Sequence, residues 1–289
     1  MTNQEVNRPD TRKKLFFGLF VFPLLIAVGM ALLLATVVFL TKEDETPESL
    51  IHAIKTGAPS KRWQKAFELS NELNRQEGMI RSAGIMNEVV YILNDKDHYD
   101  AKTRAYMAMA LGRFHNQEAE GALLAALKRV DDDEDPEVPL FLMWSVGNFQ
   151  NAAAANDVAR FLESKHGDLR KTAAYVLGVL GNRGMAAKLV PLLEDPVNDV
   201  QWNAALSLAR LGSAAGSKVL IQMLNHSVLK NVHQMNDSQI EPVMLNAAKA
   251  FSLIKDRGAV SVLESISKSD ENLKVRQAAL AALEYQNKL

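Results

Sequence analysis

The sequence reads DLRKTAAYVLG at residues 168–178 and DVQWNAALSLA at residues 199–209, and these stretches are two copies of one pattern, with Asp168 aligned on Asp199. In the first copy, Ala173, Leu177 and Leu180 have the spacing of an apolar stripe along one face of a helix. A pattern that repeats with a period of roughly 20 to 50 residues is typical of stacked repeat architectures. The two stretches therefore predict the first helices of two successive repeats.

Both copies carry residues suited to the two ends of such a helix. Asp168 and Asp199 are predicted to be N-caps, whose side chains accept hydrogen bonds from free first-turn N–H groups. Gly181 and Gly212 are predicted to end the helices, because glycine tolerates a left-handed C-cap. A shorter second helix is predicted after each, over Met185–Leu193 and Ala214–Leu224.

The same pattern recurs elsewhere with less fidelity. The recurring positions are Arg104 through Leu111-Gly112, Val146-Gly147, Ala247-Ala248, Ala279-Leu280, and a degenerate early copy near Arg62-Trp63 paired with a helix around Ile80–Leu93. These copies predict six helix pairs or partial pairs, followed by a last helix without a partner. One pair cannot bury its apolar stripe alone, so neighbouring pairs must stack. We therefore predict an all-α solenoid over residues 48–289.

The acidic cap, the aliphatic-Arg step, the Ala-Ala step and the Leu-Gly exit of these copies resemble bacterial HEAT repeats, including the HEAT-like repeats named after phycobilisome lyases. The resemblance covers roughly residues 60–289 and is most specific in the middle. It implies first helices on an outer convex face and second helices along a concave groove. It also implies a binding surface, although a fold by itself does not assign a partner.

The N-terminal part predicts a membrane anchor. Leu15–Leu40 is an unbroken run without a charge, and eighteen of its positions are Leu, Ile, Val or Phe. This is longer than the apolar region of a signal peptide, and its end lacks a small-residue cleavage pattern, so an uncleaved anchor is favoured over a signal peptide. The predicted division is a cytoplasmic segment over residues 1–14, a transmembrane helix over 15–40, a linker over 41–47 and the solenoid over 48–289.

The flanking charges predict the orientation of that helix. Arg12, Lys13 and Lys14 precede it, whereas Lys42 is followed by a run of acidic residues. Positive charge is retained on the cytoplasmic side, so the solenoid is expected outside the cytoplasm, in the periplasm of a bacterial inner membrane. Within the helix, the small residues Ala27, Ala31 and Ala35 lie four apart, as in a face that forms a homodimer. Lipid-facing filler is the alternative for these alanines, and it is the favoured one.

Composition excludes several classes of function. The chain has no cysteine, which removes disulfides, thiolate metal sites and thiol nucleophiles. Beyond residue 40 its basic and acidic side chains number 29 and 32, a balance that argues against a nucleic-acid partner. The sequence contains no P-loop, dinucleotide fingerprint, zinc-protease helix or serine elbow. We therefore assign no catalytic, cofactor-binding or metal-binding residue, expect no cofactor, and predict that the protein is not an enzyme.

Two interruptions of the repeat are candidate sites. The acidic run Asp131–Asp135 lacks the glycine and glutamate of a calcium loop, so a solvated loop is favoured. The insertion His226–Pro242 lengthens one repeat well beyond the spacing that separates Asp168 from Asp199. His226, His233 and Asp237 within it match no metal-ligand spacing, which favours a polar surface loop over a metal site; contact with a partner is a further alternative.

Several repeated side chains are interpreted as structural. Trp63, Trp144 and Trp202 fall on first helices and are expected to pack within or between repeats. The arginines Arg104, Arg170 and Arg276 occupy one repeat position and are expected to bind neighbouring turns. The glycines Gly178, Gly181 and Gly184 are interpreted as turn residues at a helix end.

The function that fits these features is a membrane-anchored scaffold or adaptor that binds a protein partner through the solenoid surface. The alternative is an accessory or regulatory subunit of a membrane complex such as a transporter. A bilin-lyase-like enzyme is the third hypothesis, and the anchor argues against it.

Overall fold

The computed structural model describes residues 16–41, 46–75, 83–130 and 135–288. The chain divides into two compact units, Met1–Thr46 and Pro47–Leu289. The described residues form helices joined by turns, and no strand occurs among them.

The first unit contains one long apolar helix. A π-helical turn over Phe17–Val21 leads into α1, Phe22–Thr41. Pro23 follows this turn and has no N–H group for the usual helical hydrogen bond, which favours a locally wider turn. Among the described residues, Phe17–Val37 is the one helix long and apolar enough to cross a membrane, with 21 residues, a mean hydropathy of 2.6 and no buried share. A signal sequence near an N-terminus meets the same criterion.

The second unit is a stack of helix pairs. In chain order the pairs are α3 (Pro59–Arg75) with α4 (Ala83–Asn94), α5 (Ala101–Leu111) with α6 (Gln117–Arg129), α7 (Glu137–Gly147) with α8 (Ala155–Ala159), α9 (Gly167–Leu180) with α10 (Ala186–Leu189), α11 (Asn198–Arg210) with α12 (Ser217–Met223), and α14 (Asp237–Ala250) with α15 (Val260–Ser269). Helix α2 (Pro47–Thr56) precedes them, α13 (His226–Asn231) lies between the fifth and sixth pairs, and α16 (Leu273–Asn287) follows without a partner. Each first helix packs on the next, from α3 through α14 to α16. The prediction of an all-α solenoid of about six pairs is confirmed for the described residues.

Small residues bring successive first helices close together. A Cβ atom at Gly178 would lie 2.7 Å from Cβ of Ser207 and 2.9 Å from its Cα. One repeat earlier, a Cβ at Gly147 would make an ordinary contact with Val176 at 3.5 Å, and two repeats earlier a Cβ at Gly112 would lie 2.9 Å from Cβ of Ser145. The interpretation of Gly178 as a turn residue is therefore wrong, because it is buried inside α9 and permits contact with α11. Gly181, with a φ of 71°, is the residue that ends α9 in the left-handed conformation.

The predicted N-caps are also wrong by two positions. The N-cap residues of α9 and α11 are His166 and Val197, so Asp168 and Asp199 lie in the first turn. There their charge still complements the N-terminal end of the helix dipole. The loop before α11 is stabilised instead by Asp195, whose carboxylate accepts a 2.9 Å hydrogen bond from the N–H of Val197. This short-range hydrogen bond starts the helix earlier than the spacing predicted.

The second helices are short and partly 3-10 in the middle of the stack. The segment predicted as Met185–Leu193 forms 3-10 turns over Arg183–Met185 and Val190–Glu194 on either side of α10. Pro191 cannot donate a helical hydrogen bond, which helps to end α10 after Leu189, although α8 is nearly as short between 3-10 turns that contain no proline. Longer second helices, α6 and α15, contain no proline. The predicted helix around Ile80–Leu93 corresponds to α4, and residues 80–82 lie outside the described residues.

Candidate functional site

The insertion between the fifth and sixth pairs has regular structure rather than the loop that its polar composition indicated. Asn225 accepts a 3.1 Å hydrogen bond from Val228 and caps α13. Asn236 and Gln239 form a capping box at the start of α14. Leu229 is buried and attaches α13 to the core. The extra residues therefore form an additional helix beside the sixth pair, and this helix is one wall of a cleft.

This wall borders a cleft of about 910 Å³. We call it the C-terminal cleft. Its lining comes from α12, α13, α14, α15 and the start of α16. Five buried apolar side chains form its floor: Leu224, Ile240, Met244, Ile266 and Val275.

The walls of the C-terminal cleft offer both apolar and hydroxyl groups. Ile221 of α12 and Val262 of α15 line the cleft and are half-buried, so each keeps apolar surface for a bound group. Ser261, Ser265 and Ser269 are exposed and lie four positions apart, which places them along one face of α15. Their small side chains allow a bound chain to approach α15 closely. The spacing of these serines was visible in the sequence, but their role depends on the insertion that faces them.

The charge of the cleft is mainly negative and concentrated near the α15–α16 junction. Asn272 joins two carboxylates there, because its side chain donates to Glu241 at 2.8 Å and its N–H donates to Asp270 at 2.8 Å. Lys274 donates to Glu241 at 2.7 Å, which lowers the pKa of Glu241 and raises the pKa of Lys274. Glu271 adds a third, exposed carboxylate. Three carboxylates therefore accompany one ammonium group at this end.

One helical turn before Glu241 on α14, the charge is close to balanced. Asp237 lies 3.6 Å from Nζ of Lys230 and 3.5 Å from the ring of His226. His233 is not part of this group, because its ring nitrogen lies 2.9 Å from the amide of Asn198 and its ring contacts Trp202. The structure thus separates the His226, His233 and Asp237 set. No three His, Asp or Glu side chains are grouped for a metal ion anywhere in the described ranges.

The three tryptophans contact neighbouring repeats, as the packing interpretation predicts. Trp63 stacks on Tyr106 of the next first helix at a centroid distance of 6.4 Å. Trp144 contacts Tyr175 at 4.9 Å, although 44% of its surface is exposed. Trp202 meets the edge of His233 in the insertion at 5.3 Å.

Two of the three recurring arginines bind neighbouring turns. Arg104 donates to the carbonyl of Leu93 at 2.9 Å. Arg170 donates to the carbonyl of Ser164 at 2.8 Å and to both carboxylate oxygens of Asp195. Arg276 has no side-chain hydrogen bond within the described residues. The acidic run lies outside the described residues from Asp131 to Glu134.

Comparison with known proteins identifies the repeat. Residues 125–201 and 158–234 match the family model for HEAT repeats. Residues 125–234 are HEAT repeats. Most of the lining of the C-terminal cleft lies beyond this HEAT match, which ends at residue 234.

Relatives of the HEAT solenoid include lyase subunits. The chain is 29% identical over 194 residues to the phycocyanobilin lyase subunit alpha of Picosynechococcus sp. strain PCC 7002, covering 66% of this chain and 62% of that protein. The chain therefore spans less than two thirds of the length of this curated relative. A chain in the structure of the CpcE–CpcF complex of phycocyanin lyase from Nostoc sp. PCC7120 matches with a TM-score of 0.54 at 17% identity, covering 85% of this chain and 96% of that one. An engineered protein matches with a TM-score of 0.51 at 20% identity, covering 83% of this chain and 68% of the other. These structural matches support the solenoid fold alone.

Proposed function

We propose that this chain is a membrane-anchored HEAT-repeat scaffold that binds a protein partner, with the C-terminal cleft as a contact site. The observation that carries the proposal is the cleft itself, where a buried apolar floor is surrounded by hydroxyl and carboxylate groups. An apolar centre with a polar rim is the usual anatomy of a protein interface. The solenoid supports the same function, because a linear stack leaves long faces exposed for recognition.

The anchor in this proposal is the apolar helix. Its large side chains are mostly exposed, with Leu24 at 63% and Leu33 at 65%, and a hydrocarbon environment would cover them. A helix of this length extends about 31 Å, close to the thickness of a bilayer core. The proposed division keeps residues 1–14 in the cytoplasm, 15–40 in the membrane, 41–47 as a linker and 48–289 on the opposite side. The basic residues before the helix and the acidic residues after it support this orientation.

Site-specific photocrosslinking tests the scaffold function. A photoreactive residue would replace Ser265 in the cleft of the full-length chain in its native membranes. The matched position is Glu264, which is exposed on α15 but does not line the cleft, and a third is Trp144 on the first-helix side. The proposal expects a discrete protein adduct from Ser265 that is absent from Glu264. An adduct from Trp144 alone would support the scaffold function but show that the cleft is not the contact site. The absence of an adduct at all three positions would contradict the scaffold function.

Protease digestion of intact spheroplasts tests the topology. Digestion of residues 47–289 without lysis is the expected result. Protection until lysis would reverse the orientation and direct the search for partners to the cytoplasm.

An accessory subunit of a membrane complex is the second candidate. The observation that favours it is the row of exposed small residues Ala27, Ala31 and Ala35 on α1, which allows a close helix–helix contact in the bilayer. Replacing all three with leucine is expected to abolish detergent-stable co-purification, or homodimerisation, only if α1 makes that contact. Unchanged co-purification would return the binding role to the solenoid.

A bilin lyase subunit is the third candidate, favoured by the relative from Picosynechococcus. Mixing the purified chain with phycocyanobilin tests it through the absorbance spectrum of the pigment. A spectral shift that saturates with protein would support this function. An unchanged spectrum would remove it for the isolated chain.

A further inference from the structure

We infer that the C-terminal cleft binds a short segment of the partner in which a basic side chain adjoins apolar ones, with the basic group at the α15–α16 junction. The inference rests on the proposed scaffold function and specifies the chemistry of the partner. It is carried by three features of the cleft: the distribution of charge, the apolar floor and the serine row.

The distribution of charge determines where the basic group lies. At the junction, the ammonium of Lys274 pairs with Glu241, whereas Asp270 and Glu271 also line the cleft, so these four groups carry an excess of two negative charges. Opposite charges attract most strongly where water is partly excluded, and Asp270 is half-buried. A lysine or arginine of the partner would complement this excess. An acidic segment would be repelled at the same place.

The apolar surface determines where the neighbouring side chains of the segment lie. Ile221 and Val262 are half-buried on the walls that α12 and α15 form, above a floor of buried apolar groups. An aliphatic or aromatic side chain between these walls would remove their remaining surface from water. Burial of apolar surface supplies affinity that a rim charge cannot supply alone.

The serine row determines how closely the segment approaches. Ser261, Ser265 and Ser269 leave one face of α15 without bulky side chains. The main chain of a helix or an extended peptide can therefore lie against this face and receive hydrogen bonds from the hydroxyl groups of Ser261 and Ser265, whereas the hydroxyl of Ser269 donates to the carbonyl of Ser265 at 2.8 Å. A bulky residue in the middle of this row would fill the cleft without disturbing the buried floor.

The test uses the full-length chain in detergent and a phage library of random dodecapeptides, each about 18 Å long if helical. The expected result is enrichment of sequences in which Lys or Arg adjoins Leu, Ile, Val, Met or Phe. Binding of the selected peptides should weaken as salt is raised, because the rim contact is electrostatic.

Two variants locate the binding site. Ser265→Trp fills the cleft and is expected to weaken the selected peptides at least about tenfold. Asp270→Asn with Glu271→Gln removes two charges and should weaken them roughly five- to tenfold. The matched controls are Glu264→Trp, on the same helix outside the cleft, and Glu264→Gln with Glu284→Gln, an equal change of charge on exposed residues. Both controls should bind as the wild type does, and circular dichroism should show equal helicity in every variant.

Several results would overturn the inference. They are enrichment of acidic or uncharged peptides, no enrichment at all, or equal binding by the cleft variants and their controls. Its failure is distinguishable from failure of the scaffold function. If Ser265 crosslinks to a partner that has no basic-apolar segment, the scaffold function is supported and the inference about the segment is wrong. Basic peptides that bind the cleft when no membrane partner crosslinks would retain the inference and remove the scaffold.

Discussion

The middle of the solenoid and its C-terminal part use the same helix pair to different effect. In the middle, α9 begins at Gly167 and α11 at Asn198, and Gly178 lies directly against Ser207. From α11 the chain runs on to Asp237 before α14 begins, and the additional residues form α13 and one wall of the cleft. In these two regions, the cleft accompanies the longer connection, because its additional residues form a helix that lines the cavity.

The two regions also differ in what stabilises their loops. In the middle, the guanidinium of Arg170 binds Asp195 and the carbonyl of Ser164, so one side chain connects consecutive repeats. At the C-terminal end, the buried amide of Gln286 donates to the carbonyls of Phe251 and Ile254. Stability in a repeat stack is approximately a sum of local terms. Damage to one region should therefore be detectable separately from damage to the other.

Gly178→Val should have the largest effect. Its Cβ would overlap the side chain and backbone of Ser207, and overpacking of this kind costs about 3 kcal/mol. We expect a lower midpoint of thermal unfolding by circular dichroism, and hydrogen exchange should show loss of protection first in α9 and α11. Gly121→Ala is the control, because a Cβ at Gly121 meets nothing within 4 Å. That control should stabilise α6 by about 0.5–1 kcal/mol. Equal protection of α9 in wild type and Gly178→Val would refute close packing at this position.

Asp195→Asn should have the next largest effect and lower the free energy of unfolding by about 2 kcal/mol at neutral pH. The hydrogen bond from Arg170 lowers the pKa of Asp195, so the carboxylate stabilises the fold above its unfolded pKa of about 3.9. This contribution is lost as the pH falls through the lower folded pKa. The difference in unfolding free energy between wild type and variant should be constant from about pH 7 to pH 5 and shrink below about pH 4. Asp168→Asn, at an exposed first-turn position, is the control and should change stability by less than about 0.5 kcal/mol. A difference that grows in acid would contradict the assigned role of Arg170.

The fold was predictable because its determinants are local and periodic. The Ala173-Ala174 step and its copies predict the ladder of first helices, and Gly181 and Gly212 adopt the positive φ expected of them. The N-caps were not predictable from the same spacing, since a hydrogen bond from Val197 to Asp195 fixes the loop before α11. An aspartate in the first turn and one at the cap have similar sequence signatures.

The cleft was predictable only in part. The long insertion after α12 indicates an interruption of the repeat, and Ser261, Ser265 and Ser269 have helical spacing. Neither feature shows that Ile221 and Val262 line one cavity, because that depends on the placement of several helices. Gly178 illustrates the same limit, since its role comes from Ser207, which lies in the next repeat.

Gln286→Leu tests the C-terminal side of the comparison. It is expected to lower the free energy of unfolding by about 1.5 kcal/mol. The substitution leaves the carbonyls of Phe251 and Ile254 without their donor and the N–H of Asp256 without its acceptor. Hydrogen exchange should accelerate in α14 and α16 and remain unchanged in α9. Asn287→Ala, at the exposed neighbouring position, is the matched control and should have little effect. Accelerated exchange throughout the solenoid would show that the two regions unfold as one unit.

His233→Ala should have the smallest effect and separates a docked insertion from a loose one. The variant loses the contact with Asn198 and the edge of the imidazole against Trp202, which together contribute about 0.5–1 kcal/mol. If the insertion is fixed to α11 by these contacts, hydrogen exchange in α13 should accelerate while α11 keeps its protection. His226→Ala, on the cleft side of the same insertion, is the control and should leave the contact with α11 intact. Unchanged exchange in α13 would show that the burial of Leu229 and the packing of Met235 hold the insertion, and the wall of the cleft would then depend on apolar burial rather than on contact with the preceding repeat.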